Sequence, residues 1–165
     1  MADFKKAIEF VLQHEDSKLG GEITHDSGGT TKFGISQRAH PTVHIESLSL
    51  SEAEDIYREE YWSKIHGNEI HDDQVAAKVL DMAVNMGPHQ AIVLCQRALN
   101  TLALHPSLAE DGVPDPLTLA ALNAADPQLL IVVLRSFCGE FYRHIAAAKP
   151  EYQKYLHGWL LRANA

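Results

Sequence analysis

The strongest constraint in this chain of 165 residues is a helical periodicity punctuated by proline. Apolar residues return every three or four positions through most of the sequence. Gly87-Pro88, Asp115-Pro116, Asp126-Pro127 and Pro150 stand where those runs begin or break. Proline lacks a backbone N–H and has a fixed φ suited to a first helical turn, so it opens helices and interrupts them. An Asp just before it can cap the helix with its side chain. The pattern predicts a mainly α fold.

Phe4, Ala7, Ile8, Val11 and Leu12 follow the spacing of one helix face, and Asp3 is placed to cap it. Ser49 with Glu52, and Ser51 with Glu54, are competing capping boxes for a helix through Ala53, Ile56, Tyr57 and Tyr61. A core helix is expected from Asp73 to Met86, ended by Gly87-Pro88, with Val75, Ala76, Val79, Leu80, Ala83 and Val84 inward. Another follows from Pro88 to near Leu104. The loop from His105 to Pro114 is the candidate joint between two sub-regions. A short helix then starts at Asp115-Pro116, a long one runs from Asp126-Pro127 to near Ala148, and a last carries Tyr152, Leu156, Trp159 and Leu160.

One stretch breaks the pattern. Residues 20–36, GGEITHDSGGTTKFGIS, hold five glycines, three threonines and β-prone pieces around Ile23 and Phe33. Asp26, Ser27, Gly28 and Gly29 read as a turn between them, giving one small β-hairpin near the N-terminus.

Composition narrows the function. Hydrophobic residues are 45% and charged residues 22%, enough for a core and incompatible with wholesale disorder. The net charge of −8 repels phosphate backbones, so no nucleic-acid partner is expected. No run approaches about 18 apolar residues, so no integral membrane segment is expected. MADFKKAIEF lacks the features of a signal peptide, which implies synthesis in the cytoplasm. Cys95 and Cys138 lie in apolar helical patterns and read as free buried thiols. Met82 and Met86 read as core. Among ten histidines, His40 with His44 and His66 with His71 flank loops without a metal-ligand spacing, so no metal is expected. The Gly28-Gly29 pair lacks the lysine of a phosphate loop.

Glu15 is the first candidate for chemistry. It lies eleven positions after Phe4 and seven after Ile8, which returns it to within roughly 20° of the apolar stripe. Desolvation and the negative end of the helix both disfavour its anion, so its pKa should be raised. A general acid working near neutrality needs that property. The competing reading is a Glu frayed into solvent at a helix end. Asp26 in the Gly-rich turn, with Thr31 five residues on, is the second candidate; alone, an Asx turn explains that Asp equally. Together they supply the parts of glycoside hydrolysis: an acid for the leaving oxygen and a carboxylate for water or the oxocarbenium ion.

The GG-x-T-x-x-GI core (Gly28, Gly29, Thr31, Gly34, Ile35), reached from Glu15, resembles the signature of glycoside hydrolase family 108, N-acetylmuramidases of the endolysin and secretion-activator type. Ile56-Tyr57-Arg58 with Tyr61-Trp62 resembles that family's I-Y-R-x-x-Y-W. Ala83-Val84-Asn85-x-Gly87-Pro88 resembles its A-V-N-x-G-P. Asp111-Gly112-Val113 with Thr118-Leu119 resembles the predicted peptidoglycan-binding region found in the same proteins. The family's catalytic Glu stands in E-G-G-Y. Here Glu15 is followed by Asp16-Ser17-Lys18-Leu19 before Gly20-Gly21, and Glu22 comes next. Because Glu15 ends the first helix after His14, the catalytic role is carried to it, with Glu22 as the fallback.

The resemblance implies a lysozyme-like helical fold, a catalytic region at residues 1–91 and a peptidoglycan-binding region at 92–165. It implies cleavage of the β-1,4 link between N-acetylmuramic acid and N-acetylglucosamine in glycan strands, without a cofactor. Glu15 would be the acid, and Asp26 with Thr31 would position water. Carboxyls about 6.5–9.5 Å apart would indicate inversion, and about 5–5.5 Å retention. Tyr61, Trp62 and Asn85 are substrate-binding candidates: one aromatic of the adjacent pair would pack inward while the other stacks on a sugar, and Asn85 either caps its helix or bonds an acetamido group. Gln96, Arg97 and Arg135 are candidate polar contacts to the wall. Action on a cell wall would need export by a partner such as a holin or a secretion apparatus. The rival readings are an inactive wall-binding protein of the same fold and a metal-dependent peptidase.

Overall fold

The computed structural model describes residues 1–15, 21–26, 29–102 and 107–165, with the backbone alone at His14, Glu15 and Asp26. Its main helices are α1 (Phe4–Glu15), α2 (Leu50–Tyr57), α3 (Asp73–Met86), α4 (Pro88–Leu102), α5 (Pro116–Ala124), α6 (Pro127–Ala148) and α7 (Gln153–Asn164). A small sheet lies between α1 and α2.

Each start has a local cause. Asp3 Oδ1 accepts from the Lys5 amide at 2.8 Å and opens α1. Ser49, not Ser51, caps α2: its amide donates to Glu52 Oε2 and its hydroxyl accepts from the Glu52 amide. Glu54 is instead taken by Lys5. Asp72 accepts from the Gln74 and Val75 amides at α3. Asp115 and Asp126 cap α5 and α6 with proline in the first turn.

α3 is the centre of the molecule. Residues 75–83 are all buried, so the helix is enclosed on every side. It packs on α1, α4 and α6. Two charges inside it, Lys78 and Asp81, are 3% and 2% exposed. Burial of charge requires partners. Arg162 Nε donates to Asp81 Oδ1 at 2.8 Å, and Lys78 Nζ donates to the carbonyls of Ala163 at 2.8 Å and Arg162 at 3.2 Å. The end of α7 is thereby fastened to the core. Burial lowers the Lys78 pKa, with nearby Asp81 opposing.

The expected hairpin has a third strand. β1 (Thr24–Asp26), β2 (Gly29–Lys32) and β3 (Ile35–Ser36) form an antiparallel sheet in that order. Ile23 precedes β1, and Phe33 sits in the β2–β3 turn rather than in a strand. Phe33 (φ 51°) and Gly34 (φ 77°) both lie in the left-handed region, as a two-residue hairpin turn of type I′ requires. Bulky residues avoid that region. Here the Tyr57 hydroxyl donates to the Phe33 carbonyl at 2.9 Å, and the Phe33 ring is buried.

After α2 the chain widens into a π-helical segment, Arg58–Trp62, with the Ser63 amide donating to the Arg58 carbonyl at 2.9 Å. Among the described residues, no single helix is long and apolar enough to span a bilayer; α5 and α6 are so only when taken together, across a bend of 115°.

Candidate active site

α1 and α3 define the ends of the core. The Ala2 amide donates to the Ile70 carbonyl at 2.7 Å, and the Asp3 amide to Asp73 Oδ1 at 2.9 Å. The two helices therefore start side by side and pack along each other. Their lengths, 12 and 14 residues, differ by about 3 Å at the α-helical rise. Their C-terminal ends consequently lie toward the same end of the core. Glu15 closes α1 there, and Asn85 sits in the last turn of α3.

The sheet's register sorts its own candidates. Thr24 pairs with Thr31, Asp26 with Gly29, and Thr31 with Ser36. Directly paired residues share a face, and faces alternate along a strand. Thr24, Thr31 and Ser36 thus belong to one polar face, and the backbone of position 26 falls two residues from Thr24 along the same strand. The other face carries His25, Thr30, Lys32 and the buried Ile35. On it Thr30 Oγ1 meets His25 Nδ1 at 3.3 Å. The Glu15 and Asp26 side chains, and with them the carboxyl separation, lie outside the described residues. Glu22 is exposed, just ahead of β1.

The π-helical segment decides between the adjacent aromatics. Trp62 turns inward: it is 1% exposed, stacks edge-on against Phe4 at 5.5 Å, and donates from Nε1 to Asn68 Oδ1 at 2.8 Å. It has no free ring face for a sugar, which corrects its reading as a substrate contact. Tyr61 is half-buried, its ring 5.8 Å from that of Tyr57. It is the aromatic of the pair that reaches the surface.

Asn85 Nδ2 donates to the Asp81 carbonyl at 2.8 Å, inside its own helix. That bond fixes the amide and leaves Oδ1 as its acceptor group. Gly87 (φ 87°) then ends α3, a conformation that suits glycine.

Gln37, His40 and Glu60 form a network that the sequence does not announce. Gln37 Nε2 donates to the carbonyls of His40, Pro41 and Val43, folding the loop after β3. His40 Nε2 then meets both Glu60 oxygens at 3.0 Å. The loop is thus tied to the residue preceding Tyr61. No motif announces a bond between positions 20 apart.

Two of the proposed wall contacts have internal tasks. Gln96 is 1% exposed: Nε2 donates to Asp111 Oδ1, the Val113 carbonyl and Thr118 Oγ1, while Oε1 accepts from the Gly112 amide. It organises the 111–118 turn from inside. The same bonding, with Gln96 the largest cause, holds the Asp111 carboxyl below its ordinary pKa. Arg135 donates to the Ala165 carbonyl at 2.6 Å. Arg97 lies at the surface, paired with Glu110 at 3.0 Å. Cys95 and Cys138 are buried thiols; burial raises both pKa values, that of Cys138 to about 11. Among the described residues no group of three or more His, Cys, Asp or Glu side chains is placed to hold a metal.

Comparison with protein families matches residues 8–87 to glycosyl hydrolase 108 and residues 90–164 to a predicted peptidoglycan domain. Among solved structures, that of Brucella abortus SagA is similar, with a TM-score of 0.66 and 25% identity over 97% of this chain and 92% of that one. Comparison with curated protein sequences gives no match.

Proposed function

This chain belongs to the glycosyl hydrolase 108 family, a family of peptidoglycan hydrolases, and on that premise we propose that it is a muramidase with Glu15 as its general acid. The bond cut is the β-1,4 link from N-acetylmuramic acid to N-acetylglucosamine. Glu15 gives its proton to the glycosidic oxygen. Asp26 and Thr31 hold the water that attacks the anomeric carbon, or Asp26 steadies the oxocarbenium charge. Tyr61 offers a ring to a sugar face and Asn85 Oδ1 accepts from an acetamido N–H. Residues 92–165 add affinity for the wall.

What supports this reading is that α1 and α3 begin side by side, so that the helix ended by Glu15 and the helix carrying Asn85 run out toward the same end of the core. A carboxyl at a helix C-terminus keeps its proton longer than one in water, because partial negative charge on the last carbonyls opposes ionisation. The chain reaches the wall after synthesis in the cytoplasm, through a holin or a secretion apparatus.

Purified peptidoglycan digested with the protein should yield new reducing sugars that mass spectrometry identifies as fragments ending in N-acetylmuramic acid, with activity surviving EDTA. New amines instead would mark a peptidase. One observation favours a second reading, a wall-binding protein without activity: Asp16-Ser17-Lys18-Leu19 stands where the family's Glu is followed at once by glycines. Binding to sacculi with no reducing sugar released would establish it.

A further inference from the structure

Between α4 and α6 runs a furrow of about 390 Å³. Gln90 and Arg97 line it from α4. Phe137, Glu140, Phe141 and His144 line it from α6, at the spacing of one helix face. From Gln90 to Arg97 it extends about 10 Å along α4. Gln90 lies in the first turn of α4, just past the Gly87-Pro88 junction, so the furrow begins near the C-terminal end of α3, which carries Asn85.

Its chemistry is specific. Phe137 and Phe141 are half-buried and give it an aromatic floor. Among the described residues, the side chains of Gln90, Glu140 and His144 engage no partner, leaving an amide, a carboxylate and an imidazole open above those rings. The cation, Arg97, is already paired with Glu110. A ligand that suits this set is neutral, rich in hydroxyl and amide groups, and has flat C–H faces. In a protein of net charge −8, strongly anionic ligands are disfavoured.

We propose that the α4–α6 furrow is an accessory site for the N-acetylated glycan strand itself, taking sugars that extend beyond the catalytic cleft. The assignment rests on the muramidase reading for the identity of the polymer, and its own test is binding.

The test uses the full chain carrying Glu15→Gln, cosedimented on ice with sacculi and with chitin, an uncharged N-acetylated glycan that carries no peptide. Adding Phe141→Ala should weaken binding to both by about tenfold, the effect expected of one lost aromatic contact. Glu140→Gln with His144→Gln, both exposed positions, should weaken it without touching the core. Unchanged affinity in both variants, with native circular dichroism, overturns the proposal. Binding to sacculi without binding to chitin assigns the furrow to stem peptides and overturns it as well. If the unmutated chain releases no reducing sugar, the muramidase reading fails while these binding results still decide the furrow.

Discussion

The Tyr57 hydroxyl donates to the carbonyl of Phe33 at 2.9 Å, across 24 residues of sequence. The bond joins the last turn of α2 to the β2–β3 turn, where bulky Phe33 takes a positive φ. A sheet of nine strand residues has few contacts of its own, so its orientation depends on such ties. Tyr57→Phe leaves the carbonyl buried without this donor. The expected loss is about 1–3 kcal/mol of stability, read from urea denaturation, with a fall in activity at temperatures well below the unfolding transition.

Gly67 lies flat under the Trp62 indole: a Cβ there would sit 2.2 Å from the ring. Gly67→Ala should therefore destabilise the protein by about 1–3 kcal/mol through overpacking. Thermal unfolding checks this. Unchanged stability would mean that Trp62 can leave its place, and with it that the ring is free to meet substrate after all.

Asp81 is buried with Arg162 and Lys78, and those partners lie at opposite ends of the sequence distance scale, 81 and three residues away. Arg162→Leu removes the near partner and leaves Lys78 at 4.0 Å. A loss of about 3 kcal/mol is expected, together with release of α7 detected as new protease cleavage beyond Ala148.

The start of α1 carries a pH signature. Asp73 accepts from Lys6 and from the Asp3 amide, and these bonds, the Lys6 bond foremost, hold its carboxyl below the ordinary value of 3.8. A lowered carboxyl pKa means that the unfolded chain binds the proton more readily. The stabilisation is present above the unfolded value and is lost as pH falls through the folded one. Asp73→Asn should be less stable than the parent at neutral pH, and the gap between the two should close as pH drops below 3.8. A gap constant across that range would remove Asp73 from the account.

Much of this architecture was legible because its causes are local. Asp115-Pro116 and Asp126-Pro127 each put cap and first-turn proline side by side, and α3 could be bounded by Asp73 and Gly87-Pro88 from its neighbours alone. The face of α1 followed from spacing, which is why Glu15 could be singled out. What escaped depends on distant partners. Ser49 and Ser51 offered equal caps until Lys5 took Glu54. Neither Trp62 nor Tyr61 could be sent inward before the π-helical segment set their angles. Phe33 was drawn toward a strand by its propensity and held in a turn by Tyr57. The Asp81 and Gln96 networks join residues that no periodicity connects.

The proposed chemistry turns on the carboxyl of residue 15 delivering the proton, and a single substitution isolates that step. Reducing-sugar release from purified peptidoglycan should be abolished in Glu15→Gln, with the helical circular dichroism of the parent intact and Glu22→Gln still active. Equal release by Glu15→Gln and the parent would contradict the account, and loss in Glu22→Gln alone would move the acid to the other side of the Gly20-Gly21 pair.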